Sequence, residues 1–99
     1  MEASELEWSE RAVNDYENLA EYLYEHWGEN IALKTLHEID IQIRRIARNP
    51  GQFPLFIKDK EIRRCVVSPQ TSIFFVRKIQ RICLLSIFDN RQNPEKYPQ

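Results

Sequence analysis

Apolar residues in the first half of the chain recur at the spacing of helices. A short stretch at 4–8, SELEW, alternates polar and apolar residues and predicts a strand. Two longer series then repeat every three or four positions, so that each predicts an amphipathic helix with one apolar stripe. The first stripe consists of Ala12, Tyr16, Leu19, Ala20, Leu23 and Trp27. The second consists of Leu33, Leu36, Ile39, Ile43 and Ile46 or Ala47.

Residues that favour helix ends stand at the boundaries of both stripes. Ser9 precedes the first stripe and can cap a helix, and Gly28 can end that helix in the left-handed conformation. Asn30 is a candidate cap for the second helix. Residues 49–51, Asn-Pro-Gly, end it because the residue before a proline is disfavoured in a helix. With so few residues between them, the two helices should form an antiparallel hairpin.

The second half is rich in β-branched and aromatic residues. A polar loop at 50–61 is followed by three segments that predict strands, at 62–67, 73–77 and 82–88. Their short connections make neighbouring strands antiparallel. The order β-α-α-β-β-β predicts an α+β fold in a single domain over 1–99: an N-terminal strand, a two-helix hairpin and three antiparallel strands, with the helices packed on one face of a small sheet.

Charge is unevenly distributed along the chain, although the formal net charge is only −1. Residues 1–43 contain eleven acidic and two basic side chains, whereas residues 44–99 contain twelve basic and four acidic ones. Two oppositely charged faces that attract each other within the fold would account for this division. The alternative is a basic surface that binds a polyanion or an acidic partner.

Several classes of protein and site are disfavoured by residue usage. No apolar run approaches the ~18 residues of a membrane span, and the acidic N-terminus does not resemble a signal peptide, so we expect a cytoplasmic protein. Cys65 and Cys83 are not spaced as a metal motif and are expected to be free, buried thiols. His26 and His37 lack partners at metal-ligand spacing, and two glycines cannot form a phosphate-binding loop. We therefore expect no metal and no cofactor.

The carboxylates of the first helix fall on one side of it at intervals of about four residues. We expect them to form a solvated outer face, with no acid–base pair among them. They are Asp15, Glu17, Glu21 and Glu25.

Arginine is the residue type that remains as a candidate for binding or chemistry. Three arginines, at 44, 45 and 48, lie in the last turns of the second helix, where the helix dipole favours cations. Arg63 and Arg64 open a strand and must point to opposite faces, because adjacent strand residues alternate. Arg77 and Lys78 end the next strand. A guanidinium binds phosphate through two parallel hydrogen bonds and keeps its charge, as binding a nucleic-acid backbone requires.

Two further candidates follow the last strand. Arg91 could bind a phosphate, or it could pair with Asp89 and serve the structure alone. Tyr97 could stack on a base or donate its hydroxyl to a phosphate, or it could pack the end of the chain against the sheet. The residues themselves leave both alternatives open.

In the order of its elements and the residues on them, the chain resembles the RelE/ParE superfamily of toxins from bacterial type II toxin–antitoxin modules. The resemblance covers residues 5–97 and rests on an ordered combination of segments. These are LEWSERAVNDYENLAEYLYEHWG, IRRIARNPGQFP, IRRCVV, SIFFVRK and LLSIFDNRQNPEKY.

The resemblance implies a small cytoplasmic toxin that is neutralised by an antitoxin encoded beside it. RelE-like members are ribosome-dependent nucleases that cut messenger RNA, whereas ParE-like members inhibit DNA gyrase. In the nuclease reading, Arg91 and Arg63 would hold the phosphate and Tyr97 would act as a base, without a metal. In either reading, the residues expected to bind a target or a phosphate are Arg64, Arg77, Lys78 and Arg91.

Two departures from the nuclease pattern favour the ParE-like reading. Cys65 stands where a basic residue is expected, and Ser72 or Thr71 stands where an arginine is expected. Each lost contact would cost transition-state stabilisation of about 2–4 kcal/mol. The long helical hairpin also resembles ParE more than RelE. The expected function is thus a gyrase-directed toxin, with an mRNA endonuclease or a degenerate, non-toxic relative as alternatives.

The resemblance also implies how partners would bind. An antitoxin would fold on the toxin, with an apolar helix along the hairpin and an acidic segment over the basic region of the sheet. The target would be DNA gyrase or the ribosome with its mRNA. Both a homodimer and a toxin–antitoxin hetero-oligomer are compatible with the sequence.

Overall fold

The computed structural model describes residues 5–92 and confirms the predicted α+β fold. Ser4, the first residue of the predicted N-terminal strand, and Tyr97 lie outside these residues. The three strands predicted in the second half agree with β3, β4 and β5 to within two residues at each end. The elements are β1 (Glu5–Trp8), α1 (Glu10–His26), α2 (Glu29–Arg48), a 3-10 turn (Pro50–Gln52), β2 (Leu55–Ile57), β3 (Ile62–Val66), β4 (Thr71–Lys78) and β5 (Arg81–Asp89).

The sheet has one strand more than the sequence predicts. Its order is β1-β5-β4-β3-β2, in which β1 is parallel to β5 and the other neighbours are antiparallel. The additional strand is β2, which lies inside the predicted loop 50–61 and pairs with β3. Three residues are too few to show a strand alternation, so β2 is defined by its partner and not by its own pattern.

The two helices meet at a turn of only two residues. As predicted, the Ser9 side chain caps α1 by accepting a hydrogen bond from Ala12 N at 2.9 Å, and Gly28 follows α1 with φ of +89°. The predicted cap Asn30 is wrong, because α2 begins at Glu29 and Asn30 lies inside its first turn. Gly28 occupies the cap position itself and so serves the end of one helix and the start of the next.

The predicted apolar stripes are buried at their centres, but their residues near the hairpin turn are exposed. Ile39 and Ile46 of α2 are fully buried, but Leu33 is 50% exposed and Trp27 is 45% exposed. The face of α2 continues instead through Ala32 and Thr35, which are buried. The prediction favoured large apolar side chains, whereas close packing at this end of the helix is made by small ones.

A bulge in β5 determines which side chains face the helices. Phe74 of β4 lies opposite Ser86 and Phe75 lies opposite Leu84, so Leu85 is an extra residue in β5. The alternation of the strand shifts there, and Leu84 and Ile87 both join the core beneath the helices. The opposite face of the sheet has a smaller apolar cluster, formed by Ile62, Phe74 and Phe88.

Side chains of α1 hold the backbone of the bulged strand. The Ser9 hydroxyl donates to the Leu85 carbonyl at 2.8 Å, and the Asp15 carboxylate accepts from Ile87 N at 3.0 Å. Asp15 is therefore half-buried against β5, which corrects its predicted place on the solvated face of α1. The other three predicted carboxylates, Glu17, Glu21 and Glu25, are exposed.

Candidate functional site

The end of β5 carries a buried carboxylate that is clamped by the arginine two residues later. Arg91 donates from Nε to Asp89 Oδ1 at 3.0 Å and from Nη2 to Asp89 Oδ2 at 2.7 Å. The backbone N–H of Arg91 also donates to Asp89 Oδ1, at 2.9 Å. Thr71 of β4 donates its hydroxyl to Asp89 Oδ2 at 2.7 Å. Both oxygens of the carboxylate therefore accept two hydrogen bonds each from within the fold.

This arrangement fixes the ionisation of both partners. Burial alone would raise the pKa of the Asp89 carboxyl, but hydrogen bonds from Arg91 and Thr71 outweigh burial and hold that pKa below its usual range. The same side-chain hydrogen bonding, donated by Arg91 to Asp89, raises the pKa of the Arg91 guanidinium. The pair is therefore a stable ion pair at neutral pH.

Two aromatic residues of α1 and the hairpin turn secure Arg91 further. Its guanidinium lies 5.6 Å from the centre of the Trp27 ring, and its backbone carbonyl accepts a hydrogen bond from the Tyr22 hydroxyl at 2.9 Å. Only 17% of the Arg91 side chain is exposed. Of the two alternatives for Arg91, the structural one is thus present in the molecule, and a ligand would meet only the exposed rim of the guanidinium.

A groove beside Arg91 lies between the start of α2 and the turn before β4. It has a volume of about 280 Å³, and its lining includes the cations Arg91 and Lys34 and the carboxylate of Glu38. Large apolar residues near the hairpin turn are exposed, among them Tyr24 by 44%, Trp27 by 45% and Ile31 by 39%. We call these three residues the tip surface. Ile31 belongs to both the tip surface and the groove lining, so the two form a continuous region.

A second region of interest lies at the C-terminal end of α2, where three arginines surround residues 51–53. Arg63 donates from Nη1 to the Phe53 carbonyl at 2.6 Å. Arg45 donates from Nη2 to Gln52 Oε1 at 3.4 Å, and its guanidinium lies 5.9 Å from the Phe53 ring centre. Arg77 Nη1 lies 3.6 Å from the point that a Cβ on Gly51 would occupy. We call Arg45, Arg63 and Arg77 the arginine cluster.

The two adjacent arginines of β3 have different surroundings, in agreement with the prediction that they face opposite sides. Arg64 donates from Nε to Ser72 Oγ at 3.0 Å and lies 5.6 Å from the centre of the Phe56 ring. Phe56 packs in turn on Phe74, which belongs to the apolar cluster on the face away from the helices. Arg63 instead contacts the segment that follows α2.

The positions at which the nuclease pattern has cations are buried in this chain. Cys65 is fully buried in the core beneath the helices, and burial raises the pKa of its thiol to about 11 despite the opposing effect of Arg45. Both cysteines are free, as expected, but Cys83 is only partly buried. Ser72 is 3% exposed and Thr71 is 1% exposed, with Thr71 committed to Asp89.

The sequence-predicted site residues lie in separate places. Arg63 and Arg77 lie together, with Lys78 beside Arg77 at the turn into β5. Arg91 lies beyond the other end of the sheet: Arg77 pairs with Ile82 at one end, and Thr71 pairs with Asp89 at the other. These ends are six residues apart, or roughly 20 Å at ~3.3 Å per residue.

Sequence reasoning did not connect Arg45 with Arg63 and Arg77, although it named all three. The missing information was the path of the chain after α2, since the turn at Pro50–Gln52 carries Phe53 back over β3. No group of His, Cys, Asp and Glu side chains suited to a metal ion occurs within residues 5–92. No helix of this part of the chain is long and apolar enough to cross a membrane.

Comparison with known proteins shows the family. The sequence matches the model of the family described as "ParE toxin of type II toxin-antitoxin system, parDE" over residues 6–94. None of the curated proteins matches it.

Solved structures show the same fold at low sequence identity. The chain is similar to a structure of the chromosomal ParDE TA system from P. aeruginosa, with a TM-score of 0.72, 21% identity, and coverage of 88% of this chain and 96% of that one. A YoeB/ParE toxin from Agrobacterium tumefaciens gives a TM-score of 0.61 and 15% identity, with coverage of 86% of this chain and 96% of that one. A copper-bound mutant toxin from Helicobacter pylori gives a TM-score of 0.56 and 20% identity, with coverage of 91% of this chain and 98% of that one. With the family match over nearly the whole sequence, the chain belongs to the ParE toxin family of type II toxin–antitoxin systems.

Proposed function

We propose that this chain is a toxin that a cognate antitoxin neutralises and that acts by binding DNA gyrase. The observation that carries the proposal is the family match over residues 6–94. Inhibition by binding needs an exposed surface and no catalytic group. The candidate residues are arranged in keeping with that requirement, because they form two separate surfaces and not one convergent site.

The geometry gives the mRNA endonuclease less support. Two of its three candidate residues, Arg63 and Arg91, lie near opposite ends of the sheet, since Arg63 pairs with Phe75 and Asp89 pairs with Thr71. That separation is at least four residues along β4, or roughly 13 Å between backbones. The two guanidinium groups also contact different partners, since Arg63 donates to the Phe53 carbonyl and Arg91 to Asp89. The third candidate, Tyr97, lies outside the described residues.

The tip surface and its groove suit the antitoxin. Soluble proteins rarely expose several large apolar side chains side by side unless a partner covers them. Tyr24, Trp27 and Ile31 are each between 39% and 45% exposed, and the groove next to them continues the region toward the sheet. An apolar helix of the antitoxin would bury these side chains and cover the rim of Arg91.

The target is tested by expressing the chain from an inducible promoter without an antitoxin. We expect growth to stop, purified protein to inhibit gyrase supercoiling, and messenger RNA on ribosomes to remain intact. Codon-phased cleavage of messages with unaffected supercoiling would overturn the gyrase proposal. The variants Arg91→Ala and Tyr97→Phe would then test the nuclease site. Unimpaired growth at a verified protein level would show a degenerate, non-toxic relative.

We expect a short reading frame adjacent to the gene, and co-expressing it tests the antitoxin. We expect it to restore growth and to co-purify with this chain. Tyr24→Glu and Ile31→Glu place charges in the tip surface and should abolish co-purification. Val13→Glu is the matched control, because Val13 is also exposed, by 40%, but lies on α1 about 16 Å from Tyr24 at ~1.5 Å per residue. Equal loss of binding in Val13→Glu would contradict the assignment to the tip surface.

A further inference from the structure

The end of the molecule that contains the arginine cluster carries a large excess of positive charge. Eight cations lie on its segments, and three carboxylates lie among them, those of Asp59, Glu61 and Glu5, which stands beside Arg81 in the pairing of β1 with β5; this leaves a balance of +5. Arg81, at the start of β5, is left out of this count because it pairs with Glu7 at 3.0 Å. The cations are Arg44, Arg45, Arg48, Lys58, Lys60, Arg63, Arg77 and Lys78.

The strand pairing brings these segments to one end of the sheet. The turn between β2 and β3 precedes Ile62, which lies opposite Val76, so it is next to the end of β4 that carries Arg77 and Lys78. The last turns of α2 join them through the contacts of Arg45 and Arg63 with residues 52 and 53. The excess of charge is therefore a property of one surface and not only of the sequence.

Within this surface, the arginine cluster has no acidic partner among residues 5–92. Arg11–Asp15, Arg81–Glu7 and Arg91–Asp89 are ion pairs in this part of the chain, and none of the three involves Arg45, Arg63 or Arg77. Arginine side chains close to one another without carboxylates repel, so their grouping costs free energy in the absence of an anion. A bound anion would remove that cost.

Two members of the cluster, Arg45 and Arg63, are also held in place before any ligand binds. Arg63 is fixed by the Phe53 carbonyl at 2.6 Å, and Arg45 is held by Gln42 Oε1 at 3.0 Å and by Gln52 Oε1 at 3.4 Å. These contacts go to neutral acceptors and use only some of the N–H groups of each guanidinium. The remaining donors can bind an oxyanion with little loss of side-chain entropy.

We propose that the arginine cluster and the cations around it bind the phosphate backbone of a nucleic acid. Guanidinium groups bind phosphate oxygens in pairs, and their charge does not depend on pH in the physiological range. An excess of five positive charges fits a polymer that is uniformly negative better than a protein surface that carries both signs. The site lies at the opposite end of the sheet from Arg91 and does not depend on gyrase or on the antitoxin.

The proposal is tested by fluorescence anisotropy with the purified full chain and a labelled DNA duplex of about 20 base pairs. Backbone binding should weaken with salt at a slope of about −0.9 per phosphate contacted in a log–log plot. With two or three phosphates contacted, we expect affinity to fall about 10- to 40-fold between about 50 and 200 mM salt. The combined variant Arg45→Gln, Arg63→Gln, Arg77→Gln should lose at least about tenfold in affinity and most of the salt slope.

Arg77→Gln and Lys34→Gln each remove one cation, so this matched pair separates the effect of the cluster from that of net charge. Lys34→Gln removes one cation from an exposed position on the same helix, about 16 Å from Arg45, and should change affinity by less than about twofold. Circular dichroism establishes that each variant is folded. If the combined variant unfolds, Arg77→Gln alone replaces it, since no hydrogen bond within residues 5–92 depends on the Arg77 side chain.

Two competitors identify the chemistry that is recognised. A single-stranded RNA of the same length should compete with the duplex, because the shared feature is the phosphate backbone, and its relative affinity indicates which nucleic acid is preferred. A glutamate-rich peptide of equal charge should compete poorly. The proposal is overturned if the peptide binds more tightly than the duplex, if the folded combined variant binds DNA as the wild type does, or if the wild type does not bind at low salt.

Discussion

The two ends of the sheet use the same residue type in opposite ways. At one end, Arg91 is 17% exposed and clamps a carboxylate that is itself fully buried. At the other end, Arg45, Arg63 and Arg77 converge on residues 51–53. The hydrogen bonds that Arg45 and Arg63 donate within residues 5–92 go to neutral acceptors. An arginine with a buried carboxylate beside it contributes to stability, whereas arginines without one remain able to bind an anion.

This difference separates stability from binding along the chain. Removing one member of a buried pair leaves an uncompensated charge in a medium that solvates it poorly, at a cost of about 3–5 kcal/mol. Removing an exposed cation with no carboxylate partner leaves nothing uncompensated. Substitutions at the Arg91 end should therefore change mainly the free energy of unfolding. Substitutions in the arginine cluster should change mainly the affinity for an anion.

The largest effect is expected for Arg91→Ala. The Asp89 carboxylate would remain buried with only Thr71 and a backbone N–H to stabilise it, so the free energy of unfolding should fall by about 3–4 kcal/mol in urea titrations. Arg81→Ala is the control, because its partner Glu7 is 41% exposed and the pair contributes at most about 1 kcal/mol. Equal losses in the two variants would remove the distinction between the two ends.

The pH dependence of stability should isolate the same carboxylate. Because the folded-state pKa of Asp89 is lowered, its contribution is present above the unfolded-state value of about 3.9 and is lost as pH falls from there through the folded-state pKa. In Arg91→Ala nothing comparable holds that pKa down. The difference in unfolding free energy between wild type and variant should thus shrink as pH falls from 7 to about 3. A difference that stays constant over this range would contradict the assignment.

How much of this was available in the sequence depends on how local each feature is. Helical periodicity and Ser9 predict α1, and the β-branched runs predict β3 to β5, because these patterns lie within a few turns or residues. The pairing of Asp89 with Arg91, two residues apart, could be weighed from the sequence for the same reason.

Features that depend on distant partners were missed or misplaced. The strand β2 is defined by its pairing with β3. Asp15 accepts a hydrogen bond from Ile87 N, two residues after the bulge in β5, and no pattern in the sequence indicates that bulge. Arg45, Arg63 and Arg77 are 18 and 14 residues apart, and their convergence depends on the path of the turn after Pro50. The sequence could thus identify the candidate cations but not group them.

Within the arginine cluster itself, Arg63 should matter most for stability. Arg63→Ala removes a charge-assisted hydrogen bond to a partly buried carbonyl, so we expect a loss of about 1–2 kcal/mol by urea unfolding. The intermediate size is informative, because Arg63 would both anchor the segment after α2 and present charge. A loss as large as that of Arg91→Ala would place Arg63 with the structural arginines.

The smallest effect on stability is expected for Arg77→Gln. Its guanidinium makes no recorded hydrogen bond or ion pair within residues 5–92, and its residue is exposed, so the free energy of unfolding should stay within about 0.5 kcal/mol of wild type. The same substitution should lower the salt slope of DNA binding by about one unit. Lys34→Gln should match it in stability but leave the slope unchanged. If Arg77→Gln costs more than about 1 kcal/mol, Arg77 supports the fold as Arg91 does, and the contrast between the two ends fails at that residue.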